Sequence, residues 1–200
     1  MYLLLINGSP KKDGNLAQLL NTIQEEARGR KAKAEIMNVH PVVEKQDQPF
    51  CRACSSPCAG VCYRDTELEE LYERVKLADA LVLGSPVYFG TVSAQLKAFW
   101  DKTRKLRTDK VMINKVGAAV SCGAARFGGQ ETTLKALYDM MLIQGMILVG
   151  DGQEEADAGH HGVCSQQPSE EDDFARKRAL ILTKRVLEVA QATEKLRKKE

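Results

Sequence analysis

The sequence predicts a doubly wound α/β fold: a three-layer sandwich around a five-stranded parallel sheet. Three features predict it. Strand-like apolar runs and amphipathic helical patterns alternate in five successive βα units along the 200 residues. Several runs are continuously apolar, Leu3 to Ile6 among them, as in parallel strands covered on both faces. Right-handed crossovers restrict the topology, and five strands favour the order 2-1-3-4-5.

Strands are predicted at residues 2–7, 34–39, 80–85, 116–121 and 146–150, and helices at 15–28, 66–77, 92–105, 130–142 and 171–197. Leu16, Leu19, Leu20 and Ile23 form the inward stripe of the first helix. Leu182, Val186, Val189 and Leu196 do the same in the last, with charges between them. Two stretches break the alternation, residues 40–65 and 151–170. Both are longer than a plain connection, and such loops carry function or mobility. There is no internal repeat and no low-complexity tract, so residues 1–200 read as one domain with two long loops.

A hydrophobic content of 44% suits a globular chain with a substantial core. The 29 basic and 27 acidic residues leave a net charge of +2, which argues against a dedicated nucleic-acid or membrane binder. The basic tail of Lys195, Arg197, Lys198 and Lys199 reads as a solvated helix end. No apolar run approaches the ~20 residues that span a bilayer. The start of the chain lacks the features of a signal peptide, so a cytoplasmic protein is expected. In that compartment six cysteines point to metal or redox chemistry rather than disulfides.

In an open parallel sheet, ligands bind beyond the carboxyl ends of the strands. The first strand ends in INGSPKKDGNL. Ser9 offers a hydroxyl, Gly14 lets backbone approach closely, and Asn15 can cap a helix or donate from its amide. The helix start at Asn15 and Leu16 then aims open N–H groups at an anion. Pro10 shapes the turn, and Lys11 and Lys12 add positive field. The loop has neither the Lys-Ser/Thr of a triphosphate loop nor a G-x-G-x-x-G fingerprint, which leaves a monophosphate site or a plain glycine bend. The third strand runs into Pro86, Val87, Tyr88, Phe89 and Gly90. Its two aromatics flank a flat ring or bury into the core. The fourth strand leads to Ser121, Cys122, Gly123, Gly128 and Gly129, where glycines expose backbone amides.

The 40–65 loop contains FCRACSSPCAGVCYRD, with Cys51, Cys54, Cys58 and Cys62 spaced C-x2-C-x3-C-x3-C. Four thiolates within twelve residues can close around one [4Fe–4S] cluster or a tetrahedral zinc, or remain free or redox-active thiols. His160, His161 and Cys164 form a second group, suited to a metal, a mobile loop or a subunit contact. Cys122 reads as a buried inert thiol and Trp100 as packing or interface.

INGSPKKDGN, LGSPVYFGTVSAQLKAFWDKT and GAARFGGQET together resemble the flavodoxin-like NAD(P)H-dependent FMN reductase family, over roughly residues 1–150. The cysteine loop resembles that family's iron–sulfur flavoprotein branch. The resemblance implies a flavodoxin-like fold with non-covalent FMN. Ser9, Lys11, Gly14 and Asn15 would surround the phosphate, Pro86 to Gly90 line the isoalloxazine, and Ser121 to Gly123 with Gly128 and Gly129 border its far edge. Leu16 stands where the family usually has Thr or Ser, which removes one hydroxyl donor and implies weaker FMN retention. Three residues separate Cys54 from Cys58, where the branch typically has two. The implied activity is electron transfer from NAD(P)H, or from a reduced carrier such as ferredoxin, to an unidentified acceptor. The flavin does the chemistry, so no catalytic side chain is assigned. A non-enzymatic electron carrier and a thiol- or metal-based sensor are the alternatives. The resemblance also implies a homo-oligomer, dimer or tetramer, with the flavin pocket at a subunit contact. Trp100 and the 151–170 loop are expected near its opening.

Overall fold

The computed structural model describes residues 1–197, so Lys198 and Lys199 of the basic tail lie outside the described residues. The chain forms β1 (Tyr2–Asn7), α1 (Asn15–Gly29), β2 (Lys33–Asn38), α2 (His40–Glu44), α3 (Glu67–Leu77), β3 (Ala80–Pro86), α4 (Ala94–Asp101) and α5 (Arg104–Thr108). Then come β4 (Val116–Gly123), α6 (Gln130–Leu142), β5 (Ile147–Leu148), β6 (Val163–Gln166) and α7 (Asp173–Ala192). All strand pairs are parallel, in the order β2-β1-β3-β4-β5, with β6 also paired to β4.

The apolar run of β1 is continuous because its alternate residues feed two cores. Leu3 and Leu5 pack with Leu16, Leu19 and Ile23 of α1 and with Leu182 and Val186 of α7. Leu4 and Ile6 pack with Leu68 and Tyr72 of α3, Leu96 and Phe99 of α4, and Leu137 of α6. The predicted three-layer sandwich and strand order are what the chain adopts.

Four elements depart from prediction, each for a local reason. The fifth strand position is split. β5 pairs Ile147 and Leu148 with Val116 and Gly117, while β6 pairs Val163 to Gln166 with Val120 to Gly123. The chain leaves the sheet between them because Asp151, wholly buried, is drawn to Arg178 of α7. Arg178 Nε donates to its carboxylate at 2.5 Å and Nη2 to its carbonyl at 2.6 Å. The predicted loop at 151–170 therefore contains a strand. The helix predicted at 92–105 breaks into α4 and α5, because the buried Thr103 turns its hydroxyl back onto Trp100 O at 2.6 Å. The last helix starts later than predicted, at a cap where Ala175 N–H donates to Asp172 at 3.0 Å. It also ends earlier, at Ala192, and Leu196 is exposed rather than inward-facing. Finally, the 40–65 stretch is not featureless: it opens with α2 and closes with a 3-10 turn at Val61–Tyr63.

Trp100 is core, not rim. It is buried and its indole N–H donates to Met140 O at 3.1 Å, joining α4 to α6. Asp101 is held by Lys97 at 2.7 Å. Among the described residues no helix is long and apolar enough to cross a membrane.

Candidate functional site

The carboxyl ends of β1, β3 and β4 are neighbours, which brings the three predicted loops together. The first is shaped from below by a buried residue the sequence reading passed over. Asn7 accepts from Ser9 N–H at 3.0 Å and donates to Asn38 Oδ1 at 2.8 Å and to Lys12 O at 3.4 Å. Ser9 Oγ accepts from Lys11 N–H at 3.0 Å, so its own proton remains available to a ligand. Ser93 ties this loop to α4: its hydroxyl donates to Gly8 O while capping Leu96 N–H at 3.1 Å. Gly8 has no alternative, since a Cβ would sit 2.7 Å from Gly84 O.

Gln18 N–H closes the first bond of α1 onto Gly14 O, leaving the N–H groups of Asn15, Leu16 and Ala17 open at the helix start. Lys11 and Lys12 are exposed beside them. Asn15 Oδ1 accepts from Ser169 N–H at 2.9 Å, which turns its amide into a donor and fastens the end of the 151–170 segment here. Leu16 is 2% exposed and faces the core against Gly84, so position 16 offers an anion its N–H alone. This set of donors and cations fits a phosphate monoester.

The second loop is a tight hairpin. Tyr88 and Thr91 exchange backbone bonds at 3.0 and 3.2 Å, and Phe89 and Gly90 between them have φ of +50° and +79°. Pro86 and Val87 are half-buried, and Val87 N–H is fixed on Cys122 O at 2.9 Å. Neither aromatic sinks into the core. Tyr88 is exposed and Phe89 is entirely so, at 109% of its reference surface.

The third loop is organised by Gln130, which in the sequence marks only a helix start. Its carboxamide accepts from Gly128 N–H at 2.9 Å and donates to Ala125 O at 2.7 Å and Ser165 O at 3.3 Å. It fills the space beside Gly123, which a Cβ would invade. Thr132 Oγ1 donates to Gly90 O at 2.8 Å, and Gly129 abuts Gly90, so the second and third loops form one rim. Phe127 projects from it, 94% exposed. Ser121 and Cys122 are buried. Ser121 Oγ donates to Gln130 O at 3.0 Å, and Cys122 Sγ lies 3.3 Å from Ser169 Oγ. Burial raises the Cys122 thiol above its ordinary range, against the two nearby serine hydroxyls, as an inert thiol requires.

The cysteine loop is built differently. Cys51 and Cys58 are half-buried, Cys54 and Cys62 exposed, and all four are free thiols. Arg104 Nη2 donates to Ser55 O at 3.3 Å, and Tyr63 packs edge-on against Tyr72 at 4.8 Å. Burial raises the Cys62 thiol; Lys102 pulls it down, and the other three thiols push it up. Burial, then Cys58 and Cys62, push Tyr63 up to about 12. Among the described residues, no three His, Cys, Asp or Glu side chains are gathered closely enough to hold a metal ion. In donor chemistry the loop fits a tetrathiolate centre, and beside it Lys102 Nζ is buried without a partner.

The group at 160–164 is not brought together as a metal site. His160 Nδ1 lies 3.3 Å from Asp151 Oδ2, His161 is exposed, and Cys164 sits in β6 with burial pushing its thiol up to about 11.

The model of the NADPH-dependent FMN reductase family matches residues 1–161. An iron–sulfur flavoprotein of Methanocaldococcus jannaschii is 38% identical over 203 residues, covering 98% of this chain and 100% of its own. One from Methanosarcina thermophila is 34% identical over 197 residues, 97% of each chain. A solved flavodoxin, WrbA-like protein from Agrobacterium tumefaciens shares the fold, with a TM-score of 0.70 over 96% of this chain and 98% of its own at 19% identity. The phosphate-type loop at the end of β1, the paired rim beside it and the match over residues 1–161 lead to one conclusion: the chain belongs to the NADPH-dependent FMN reductase family of flavoprotein oxidoreductases.

Proposed function

We propose that the chain binds FMN across the three strand-end loops and passes electrons from NAD(P)H, or from a reduced carrier such as ferredoxin, to a separate acceptor. The observation that carries this reading is the open start of α1, with Ser9 and two exposed lysines beside a rim that presents Tyr88, Phe89 and Phe127. Ser9, Lys11, Gly14, Asn15 and the N–H of Leu16 hold the phosphate. Pro86 to Gly90 lie along the ring, and Gly123, Gly128 and Gly129 border its far edge. Bound FMN supplies the hydride and single-electron chemistry. The protein orients the ring and keeps one face open, and no side chain is asked to move a proton. The exposed aromatic rim supports a homo-oligomer that covers it.

Cys51, Cys54, Cys58 and Cys62 are assigned to one [4Fe–4S] cluster. Support comes from the donor set and from two of the full-length relatives, both named iron–sulfur flavoproteins. A groove beside the loop is lined by Cys58, Arg104, Arg107 and Lys110, with no carboxylate in its wall, which suits an acidic protein donor.

The test is anaerobic purification, a visible spectrum with iron, sulfide and zinc assay, then NADPH oxidation with a quinone or free flavin as acceptor. Yellow-brown protein with matched iron and sulfide and steady turnover is expected. FMN that is reduced once without turnover would make the chain a carrier. Colourless protein that takes up no FMN would overturn the reading, and stoichiometric zinc without sulfide would remove the cluster from it.

A further inference from the structure

Lys102 stands at the corner between α4 and α5, only 2% exposed, and its Nζ is shut off from solvent with no hydrogen-bond partner among the described residues. Its neighbours in sequence are satisfied: Lys97 pairs with Asp101 at 2.7 Å and Lys105 with Asp109 at 2.5 Å. Lys115, the other buried lysine among the described residues, donates to Lys76 O and Ala78 O. A buried ammonium with neither carboxylate nor carbonyl strongly favours an anion within reach.

The cysteine loop is what covers this corner. Arg104 donates to Ser55 O, and the position of a Cβ on Gly60 lies 3.3 Å from Lys105 Cγ. Tyr63, next after Cys62, packs on Tyr72, whose hydroxyl donates to Phe99 O of α4 at 2.8 Å. Among the described residues no acidic side chain pairs with Lys102, and the loop that covers its corner carries four thiols.

We propose that Lys102 is the built-in counter-charge of the cysteine centre, and that its ammonium holds the centre's reduction potential up. The inference rests on the iron–sulfur reading above. A [4Fe–4S] core on four thiolates is doubly negative when oxidised. One electron from a one-electron donor makes it triply negative, with no bond broken and no proton moved. A fixed positive charge in a low-dielectric surround stabilises the more negative state, and so eases reduction. Lys102 touches neither substrate nor flavin in this scheme; it is a positioning residue acting through charge.

The experiment compares wild type with Lys102→Met, which keeps the stem and removes the charge, Lys102→Gln as a second neutral variant, and Lys102→Arg, which keeps the charge. Each is purified anaerobically, assayed for iron, sulfide and FMN, and titrated with dithionite while the reduced cluster is followed by electron paramagnetic resonance. The expected result is a cluster in every variant that is at least tenfold harder to reduce in the neutral ones. For one electron that is a downward shift of about 59 mV or more, with Lys102→Arg near wild type. Neutral variants that keep FMN but cannot retain iron, while Lys102→Arg retains it, would support the same role. Equal potentials across the set would overturn the proposal, as would loss of iron in Lys102→Arg along with the rest, because packing rather than charge would then be at issue. Wild type that holds no iron and sulfide would instead defeat the iron–sulfur reading itself, and this inference with it.

Discussion

The loops at the ends of β1, β3 and β4 are shaped by the protein's own hydrogen bonds, whereas the cysteine loop is pinned at a few points and leaves its thiols apart. Asn7, Ser93 and Gln130 are each buried and each bond to the backbone of one or more of the strand-end loops. The cysteine loop has Arg104 on Ser55 O, Ala59 N–H on Ser55 Oγ at 3.3 Å, and the Tyr63 anchor. One region is preorganised for a ligand that enters and leaves a formed site. The other has the character of a site whose ligand completes the fold locally, as metal centres commonly do. The difference also assigns separate roles to the two: losing the second ligand should leave the first site standing.

The largest effect expected from that comparison follows Cys58→Ser. Anaerobically purified protein should lose essentially all its iron, and protease cleavage within residues 51–62 should become fast, while FMN content stays at the wild-type level. Iron and flavin assays with limited proteolysis check it. If FMN falls in step with iron, the regions are not independent and the comparison breaks.

The unequal construction explains what was legible in the sequence. Leu3 to Ile6 announce a doubly covered strand because both cores need them, and the glycine-rich strand ends announce loops because their backbone needs the room. What could not be read depends on contacts distant in sequence. β6 is four residues long and exists because β4 offers it an edge at Val120 to Gly123. The break at Thr103 depends on one hydroxyl choosing Trp100 O. Gln130 looks like any helix-start residue until its carboxamide meets Gly128, Ala125 and Ser165. Asn7 did leave a signal, a polar residue ending an apolar run. Lys102 left none, since a lysine between an Asp and a Thr reads as surface.

A middle-sized effect sharpens the preorganised side. Ser9→Ala removes a hydroxyl whose oxygen already holds Lys11 N–H and whose proton is free for the phosphate. Losing a hydrogen bond to a charged group costs about 1.5–3 kcal/mol, roughly tenfold to over a hundredfold in affinity. FMN titration should show that loss, with riboflavin binding little changed. Equal losses for both ligands would mean that the substitution had collapsed the loop, and that the site is less preorganised than its hydrogen bonds imply.

The smallest expected effect tests the tip of the rim. Phe89 holds φ at +50° with its side chain fully exposed, an arrangement that packing within the chain does not repay. A left-handed conformation costs a non-glycine residue roughly 1–2 kcal/mol, while glycine gives back about 0.4–1 kcal/mol through the greater freedom of the unfolded chain. Phe89→Gly should therefore raise the stability of the FMN-free chain by about 0.5–1 kcal/mol, measured by urea unfolding. Strain kept at an exposed aromatic is a sign that the residue serves something outside the chain's own core. The same variant should accordingly bind both FMN and riboflavin more weakly, and sediment as a smaller species if the tip lies in a subunit contact. A variant that is less stable, with flavin affinity and mass unchanged, would show that Phe89 supports the hairpin itself. The rim would then be ordinary surface, and only the phosphate loop would remain as a preformed half of the site.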